Sequence, residues 1–480
     1  MKRSILMRGA ACVFAALLCV CARAVAEQPR EMTANELYRL AWNYDAGNGV
    51  EQNFAKALEY YLLAAEKGST AAMNNVGSMY ETGDGVEQDY EKAMEYYRQA
   101  AKRDNAYAMN NIGALYEAGL GVAQDYKKAL EWYEKAAQAG HTGAMNNIGE
   151  LYAAGLGVKQ DDEKALEWFV KAANRGEARA IGNIGLMYMR GQGVEQSDSK
   201  ARECFEQAAQ HGDADAMERL GSMYLSGTGV ERDYAQALSW YAKAASYGNS
   251  GAMNGIGAMF DDGLGVEQDY EKAIEWYGKA ADYGSTVAMG NMGRIYRLGA
   301  GVERDLVQAR VWYEKAADLG DVGAMDIVGD LYRDDKSPEW DYAQALLWYQ
   351  KAADQGSASG INHIGELYYE GLGVEQDLIR AWQLFGEAAE LESAQALANL
   401  EDMEKTYMEP ARYALVATRT SPLSLRQTPE ADGKIIVEIP KGSIIRVLLD
   451  GEFPVVEYEG LRSYVNGKYL QMLTDEELEN

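Results

Sequence analysis

A period of thirty-six residues runs through most of the chain and restricts what it can fold into. Set out in rows of thirty-six from Thr33, the 480-residue sequence gives ten rows that end at Glu392 without an insertion or deletion. A period of this length is typical of solenoids, in which each row forms a helical hairpin that packs on the next. The sequence therefore predicts ten repeats over residues 33–392.

Each row carries signals for the start and end of its second helix, which we call helix B. One column holds only aspartate, asparagine or serine, which cap helix N-termini well. The column consists of Asn53, Asp89, Asp125, Asp161, Ser197, Asp233, Asp269, Asp305, Asp341 and Asp377. In row three an aromatic pair, Trp132 and Tyr133, and a double alanine precede Gly140, which suits the left-handed backbone after a helix. Large rings beside small side chains predict closely packed helices.

The first helix of each row, helix A, contains an unusually polar motif. The sequence "MNNIG" stands at 109–113 and again at 145–149. Asparagine and glycine are poor helix formers, yet Met73 and Val76 of the related motif in row two have the spacing of one helical face. We predict that this face is core, and that Gly77 lets a neighbouring helix approach closely.

One stretch of row three shows a family resemblance. Residues 108–137, "AMNNIGALYEAGLGVAQDYKKALEWYEKAA", resemble the Sel-1-like repeat, a relative of the tetratricopeptide repeat. The resemblance rests on the Gly, Tyr, "GxGV", Asp, Ala-Leu and Trp-Tyr-x-x-Ala-Ala positions. It implies an all-α solenoid, a right-handed superhelix of ten helical hairpins, that acts as a scaffold for other proteins. A further helix at 393–407 would cover the last hairpin, within a cap and linker that end at residue 409.

The first twenty-six residues have the pattern of a secretory signal. Basic residues precede an apolar run over 9–22, and small residues precede Glu27. The run is too short for a stable membrane span, although an uncleaved anchor or a lipoprotein signal stays open as an alternative. We expect a signal peptide over 1–26, a linker over 27–32, and an exported protein that is either periplasmic or secreted.

The chain is strongly acidic. Its formal net charge is −28, and because the predicted signal holds four basic and no acidic residues, the remainder would carry −32. This charge repels nucleic acid phosphates and anionic lipids. We expect no nucleic acid partner, no integral membrane segment in the mature chain, and protein or peptide partners with basic patches.

From Tyr413 onward the pattern changes from helical to β. Short β-branched runs such as "KIIVEI" and "SIIRVLL" alternate with turn residues, which indicates a small all-β barrel. Residues 412–473 resemble a bacterial SH3-like domain, and an acidic tail follows at 474–480. The matching positions are Leu425, Arg426, Lys441, Gly442 and the "SYVNGKYL" of 463–470. Phe453 and Ser463 depart from the family's tryptophan and glycine. The resemblance implies binding to cell-wall peptides or envelope proteins.

A search for catalytic and metal-binding residues gives no site. The "SxxK" spacing of Ser197 and Lys200 occurs in serine penicillin-recognising enzymes, but the partner motifs are missing. Cys204 stands in a tryptophan column, and we interpret it as a small apolar residue. No histidine has a second His or a Cys at metal-ligand spacing. We predict that the protein is not an enzyme and has no catalytic residue, no metal and no cofactor.

Helix A has a second face, opposite its core stripe, that holds two asparagine columns. Because an asparagine side chain both donates and accepts, these residues could hold the backbone of an extended peptide. The alternative is that the second column bonds to the backbone of the neighbouring repeat. The predicted partner-binding residues are Asn74, Asn75, Asn110, Asn111, Asn146, Asn147, Asn183, Asn254, Asn291 and Asn362.

Row nine departs from the others. The sequence "YRDDKSPEWDY" replaces the "GxGV" turn between Tyr332 and Asp341, which brings in Pro338 and Trp340 within the altered loop at 333–340. Trp340 is either an exposed anchor for a partner or part of a repaired turn that packs on its neighbour.

These features predict an exported scaffold or adaptor that binds proteins or extended peptides through its solenoid, with an SH3-like module for envelope or partner targeting. A competing hypothesis is a cell-wall-targeted regulator that recruits an envelope enzyme to peptidoglycan. A third is a β-lactam-binding or β-lactam-hydrolysing enzyme.

Overall fold

The structure is a computed structural model of the chain, and it describes residues 31–407 and seven strands further along. The predicted signal peptide at 1–26, residues 27–30 of the linker and the acidic tail at 474–480 lie outside the described residues. Within the part that is described, no helix is both long and apolar enough to cross a membrane.

The first of two compact units ends at Asn249, and its described part contains twelve helices in alternating A and B order. The A helices are α1 (Ala34–Ala46), α3 (Thr70–Thr82), α5 (Ala106–Ala118), α7 (Thr142–Ala154), α9 (Ala178–Arg190) and α11 (Ala214–Ser226). The B helices are α2 (Phe54–Glu66), α4 (Tyr90–Ala101), α6 (Tyr126–Gln138), α8 (Asp162–Ala173), α10 (Asp198–Gln210) and α12 (Tyr234–Ser246). Each A helix packs against the B helix that follows it.

The second unit begins at Ser250 and continues the same alternation. Its A helices are α13 (Ser250–Asp262), α15 (Thr286–Leu298), α17 (Val322–Arg333) and α19 (Ala358–Glu370). Its B helices are α14 (Tyr270–Asp282), α16 (Leu306–Asp318), α18 (Tyr342–Asp354) and α20 (Leu378–Glu390). A final helix, α21 (Ala394–Tyr407), packs against α20, which confirms the predicted helix at the end of the repeats. Residues 34–407 thus form an all-helical solenoid of ten hairpins and a closing helix.

Side-chain caps begin the helices where the sequence predicts. All ten residues of the predicted column are the N-caps of B helices, and each accepts a hydrogen bond from a backbone amide of the first turn. Asp125, for example, accepts from the Lys128 amide at 3.0 Å. Most A helices end at a glycine, such as Gly119, whose φ of +71° lies in the left-handed region. These caps satisfy the backbone groups that a helix end leaves free.

The predicted close approach at the helix A glycines is confirmed. A Cβ on Gly77 would lie 2.6 Å from Cε1 of Tyr97, the buried ring of helix B in the same repeat. The same relation holds along both units, for example between Gly113 and Tyr133. The glycine therefore makes room for the aromatic side chain, and the buried ring outweighs the low helix propensity of glycine.

Seven strands lie beyond the helices. They are β1 (Arg412–Val416), β2 (Leu423–Arg426), β3 (Ile435–Ile439), β4 (Ile444–Leu449), β5 (Val455–Tyr458), β6 (Leu461–Tyr464) and β7 (Leu470–Met472). They pair antiparallel in the order β3-β2-β6-β5-β4-β1-β7. The segments that connect most of these strands lie outside the described residues, so the SH3-like barrel over 412–473 stays a prediction.

Candidate protein-interaction sites

The asparagines of helix A form hydrogen-bonded links between consecutive repeats, which we call the asparagine ladder. In each link, or rung, the second asparagine of one repeat donates to the first asparagine of the preceding repeat. Asn111 Nδ2 lies 3.2 Å from Asn74 Oδ1, and Asn147 Nδ2 lies 3.2 Å from Asn110 Oδ1. The remaining rungs join Asn183 to Asn146, Asn291 to Asn254, and Asn399 to Asn362.

Two rungs also include a glutamate. Asn146 and Asn183 both donate to Glu150 Oε1, at 2.9 and 3.1 Å. In the same way, Asn362 and Asn399 both donate to Glu366 Oε1, at 2.9 and 3.2 Å. Hydrogen bonds to a charged acceptor are stronger than those between neutral groups, so these two rungs should couple their helices most firmly.

The second asparagine column also reaches the buried tyrosines of the preceding repeat. The side chains of Asn111 and Asn147 act to lower the pKa of Tyr97 and Tyr133, and each tyrosine hydroxyl donates a hydrogen bond to a glutamate of its own repeat. Burial, together with the neighbouring carboxylate, raises the pKa of both phenols well above the usual range. The glutamates thus satisfy the buried tyrosine hydroxyls, and the asparagines lie close enough to influence them.

This geometry changes how the asparagine columns are interpreted. We expected the residues on or beside an open face, but Asn146 and Asn362 are buried, so that expectation is wrong at these two positions. The other eight are half-buried. The alternative was a bond to the backbone of the neighbouring repeat. The second asparagine does bond to the neighbouring repeat, but its acceptor there is a side chain and not the backbone. Partner binding by these asparagines stays a prediction.

The residue type in the second asparagine column also varies with the first position of the preceding repeat. Where the first position is glycine, at Gly182 and Gly290, the residue thirty-seven positions later is Arg219 or Ile327 and not asparagine. From repeat three onward, each asparagine in the second column follows an asparagine in the first column of the preceding repeat. Contacts between neighbouring repeats therefore explain part of the variation in the second column.

At one junction the two ladder positions hold an aspartate and a histidine, which form no rung. Asp326 and His363 occupy the ladder positions of α17 and α19, and neither Asp326 Oδ1 nor His363 Nδ1 has a hydrogen-bond partner in the described structure. Burial raises the pKa of Asp326, while a hydrogen bond of 2.6 Å from Ser357 to its other oxygen acts in the opposite direction. The ladder is interrupted here, and the nearest acidic group to His363 Nδ1 is Asp330 Oδ1 at 3.8 Å, which is beyond hydrogen-bond distance. The missing hydrogen bond should weaken this junction.

The loop at 334–340, which we call the repeat-9 loop, places Trp340 on the surface. The indole is 53% exposed, and its ring meets that of Tyr342 edge-on at 5.4 Å. The tryptophan stands where seven of the other nine repeats have glutamine and two have arginine. The glutamine donates to the end of helix A, as Gln88 does to the Glu81 carbonyl at 2.8 Å. Of the two interpretations left open by the sequence, the exposure favours an anchor for a partner.

Ser337 explains why the repeat-9 loop leaves an open cleft. The second glycine of each "GxGV" turn packs tightly on the preceding B helix, and a Cβ on Gly301 would lie 2.3 Å from Cβ of Tyr270. Ser337 holds this position in repeat nine, where it is buried. Helix α17 also ends without a left-handed glycine, since Asp334 has a φ of −68°. A side chain cannot repeat the glycine contact, so the loop follows another path.

The resulting cleft has a volume of about 630 Å³. Its lining consists of Tyr296, Val302, Glu303, Arg304, Asp305, Leu306 and Pro338. A smaller cavity of about 130 Å³ adjoins it and shares Arg304 and Leu306. The larger cleft has the size of many ligand-binding pockets in proteins.

Other sequence candidates have structural roles. Ser197 Oγ caps α10 by accepting from the Lys200 amide, while Lys200 Nζ lies over the Tyr188 ring at 5.1 Å from its centre. The "SxxK" pair is therefore not arranged as a nucleophile and its base. Burial raises the pKa of the Cys204 thiol, which disfavours the reactive thiolate. Among the described residues, no cluster of His, Cys, Asp and Glu could hold a metal ion.

Arginine–carboxylate pairs between A helices are a feature that the sequence reasoning missed. Arg294 pairs with Asp261, and Arg333 pairs with Glu366 and Glu370, each across a repeat junction of the second unit. The signal was present as a separation of thirty-three residues between opposite charges on successive A helices. The closing-helix residue Asn399 was missed for the same reason, because its partner lies in the preceding row.

Comparison with protein families agrees with this architecture. Ten successive segments match the Sel1 repeat family: 37–69, 70–105, 106–141, 142–177, 178–213, 214–249, 250–285, 286–321, 323–357 and 358–393. The chain belongs to the Sel1 repeat family. Solenoids of Sel1 repeats generally serve as scaffolds for protein–protein interaction and are generally non-enzymatic. The prediction of ten Sel-1-like repeats is confirmed.

Several solved structures are similar to the chain. A protective antigen of uropathogenic Escherichia coli with an SLR fold, c5321, is 32% identical, with 82% of each chain covered and a TM-score of 0.45. A Sel1 repeat protein from Oxalobacter formigenes is 34% identical over 52% of this chain and 99% of that one, with a TM-score of 0.46. An immunity protein from Pseudomonas aeruginosa, Pa5087, is 24% identical over 44% and 81%, with a TM-score of 0.35. No curated protein matches the chain.

Proposed function

We propose that this Sel1 repeat protein is an exported, non-enzymatic adaptor that binds other proteins or extended peptides through the surface of its repeats. Sel1 repeats cover residues 37–393, which is most of the chain. The observation that carries the proposal at the level of a site is Trp340, a large side chain that is 53% exposed in a loop that departs from the repeat pattern. Exposed tryptophans at the centre of an interface often supply much of its binding energy.

The asparagine ladder has a supporting role in this proposal. Its amides bond to the neighbouring repeat, so a partner would meet them only at the donors and acceptors that the rungs leave free. The rungs fix the spacing of successive A helices. We therefore assign recognition first to side chains that the ladder does not use, with Trp340 as the strongest candidate.

The C-terminal strands and the N-terminal segment supply the targeting part of the proposal. We infer an SH3-like module at 412–473 that directs the adaptor to the cell envelope, and a cleaved signal at 1–26 that brings the protein to the periplasm or outside the cell. N-terminal sequencing of the mature protein should then begin at Glu27. A mature protein that retains residue 1 would contradict cleavage.

The second candidate function is a regulator that binds the cell wall and recruits an envelope enzyme. The SH3-like resemblance at Leu425 and Arg426 favours it, since that family often binds cell-wall peptides. Full-length protein and a chain that ends at residue 409 can be compared for co-sedimentation with purified murein. Loss of sedimentation in the shorter chain supports this function, and equal behaviour of the two chains contradicts it.

Proximity labelling tests the adaptor proposal itself. The full chain is fused to a labelling enzyme and expressed in its own cells, next to a control in which the predicted signal peptide alone carries the enzyme. We expect a small set of proteins labelled by the full chain and not by the control. If the two fusions label the same proteins, the adaptor function is wrong.

A further inference from the structure

The repeat-9 loop and the cleft beside it have the features of a peptide-docking site. Four of the residues that line the cleft are apolar or aromatic, and they belong to two consecutive repeats. They are Tyr296, Val302, Leu306 and Pro338. The cleft is open to solvent beside a loop that carries the exposed Trp340. An apolar recess close to an exposed tryptophan is the arrangement in which protein interfaces concentrate binding energy.

The loop beside the cleft is held in place by contacts within the protein. Arg310 of α16 donates to Glu339 Oε2 at 2.6 Å and to the Tyr332 hydroxyl at 2.8 Å, which ties the repeat-9 loop to the preceding B helix. Within the loop, Ser337 is buried, and its amide donates to the Asp334 carbonyl at 2.9 Å. A site fixed in this way loses little conformational freedom when a ligand binds.

The charges around the cleft indicate the kind of ligand. The segment 334–341, "DDKSPEWD", has four acidic residues and one basic residue. Glu303 at the cleft and Asp335 in the loop are exposed, and neither carboxylate is ion-paired within residues 31–407. Arg304 also lines the cleft, and its Nε donates to the Arg297 carbonyl. Acidic side chains outnumber basic ones around the rim, so the rim favours cationic groups over acidic ones. An exposed indole also favours a Lys or Arg over its face.

We propose that this cleft binds an extended segment of a partner protein in which an apolar side chain lies next to a lysine or arginine. The apolar side chain enters the space between Leu306 and Pro338, and the cation lies against Trp340 and the free carboxylates. The proposal rests on the adaptor function and adds the position of the site and the chemistry of its ligand. It also gives the departure of repeat nine from the family pattern a function.

A loop replacement provides the matched control. Residues 333–340, "RDDKSPEW", can be exchanged for the equivalent residues of repeat eight, 297–304, "RLGAGVER". The exchange keeps the length of the loop, the arginine at 333 and the glutamate at 339, so the ion pair with Arg310 can form. It restores the "GxGV" turn and removes Trp340. A second control is Trp42→Ser, because Trp42 is 46% exposed and repeat two has serine at that position.

The test is a selection of short random peptides displayed on phage against the full-length protein. Selected peptides are synthesised, and their dissociation constants are measured for the wild type, Trp340→Gln, the Glu303→Gln/Asp335→Asn variant, the loop replacement and Trp42→Ser. We expect the peptides to pair an apolar residue with Lys or Arg. Affinity should fall at least about tenfold in Trp340→Gln and in the loop replacement, fall less in the carboxylate variant, and stay unchanged in Trp42→Ser.

The outcomes separate this inference from the adaptor function. Peptides that bind the loop replacement as well as the wild type overturn the cleft and leave the adaptor function intact, since they bind elsewhere on the protein. Selected peptides that are acidic, or that bind Trp340→Gln with full affinity, also overturn it. If the selection enriches no peptides, the proposal that the cleft binds extended peptide segments is overturned. Circular dichroism of each variant shows whether a loss of affinity comes from unfolding.

Discussion

Asn183 makes the clearest test of the asparagine ladder. Its side chain donates to Asn146 Oδ1 at 2.9 Å and to Glu150 Oε1 at 3.1 Å, across the junction between α7 and α9. A neutral hydrogen bond contributes about 1 kcal/mol and a bond to a charged group about 2 kcal/mol. Alanine regains about 0.5 kcal/mol through its higher helix propensity, and Glu150 is partly exposed, which weakens its bond. We expect Asn183→Ala to lower the free energy of unfolding by about 2 kcal/mol.

A double-mutant cycle isolates the rung from other effects of the substitution. We expect Asn146→Ala and Asn183→Ala to be coupled by about 1 kcal/mol, because the two amides bond directly. The matched control is the cycle of Asn146 with Asn147, which are adjacent in sequence but bond to different groups, Glu150 and Asn110. That control cycle should show coupling close to zero.

Urea unfolding followed by circular dichroism gives the overall effect, and hydrogen exchange of the α7 and α9 amides gives the local effect. Local exchange is needed because the stability of a repeat protein is a sum of contributions from each repeat and each junction. Equal coupling in the two cycles, or exchange that is unchanged in α7 and α9, would refute the ladder as a source of stability.

Three further predictions concern the repeats. In α15, Gly293→Ala places a Cβ 2.6 Å from the Tyr313 ring and should lower the free energy of unfolding by about 2 kcal/mol. Gly290→Ala, whose added Cβ has no atom within 4 Å, should raise the free energy of unfolding by about 0.5 to 1 kcal/mol. Urea midpoints of the two variants that change in the same direction would contradict the packing. Asp326→Asn should stabilise the protein at neutral pH, because burial raises the pKa of this carboxyl and folding therefore favours its uncharged form; a benefit that persists at a pH where the carboxyl is protonated would contradict this cause. His141 accepts a hydrogen bond from the Ala144 amide as a neutral N-cap, and burial lowers the pKa of His141 below 6.5, so its contribution to stability is present above about pH 6.5 and is lost as the pH falls. The free energy of unfolding of His141→Asn should depend less on pH in this range than that of the wild type. An unchanged dependence would be evidence against this role of His141.

Much of the fold could be predicted because the signals repeat within single rows. The column of N-cap residues predicted the start of every B helix, and Gly77 and its equivalents predicted the close contact between helix A and helix B. Both depend on groups within one hairpin, so one row contains both partners. Ten rows in the same phase then confirmed each position.

The candidate site was harder to predict because its geometry joins different rows. Asn74 and Asn111 are thirty-seven residues apart, and their link appears only when a residue is compared with the next position of the following row. The cleft depends on how far the backbone around Ser337 departs from the glycine path, which residue identity alone does not give. Trp340 was recognised from the sequence because it breaks the pattern, but its exposure required the structure.

Photo-crosslinking in cells tests the central claim most directly. A photoreactive phenylalanine analogue is introduced in place of Trp340 or, as a control, in place of the exposed Trp42, and crosslinked proteins are identified by mass spectrometry. The account predicts a discrete adduct from position 340, with the crosslink in a segment of the partner that combines an apolar residue with Lys or Arg, and no such adduct from position 42. The same adducts from both positions, or no adduct from position 340, would contradict it.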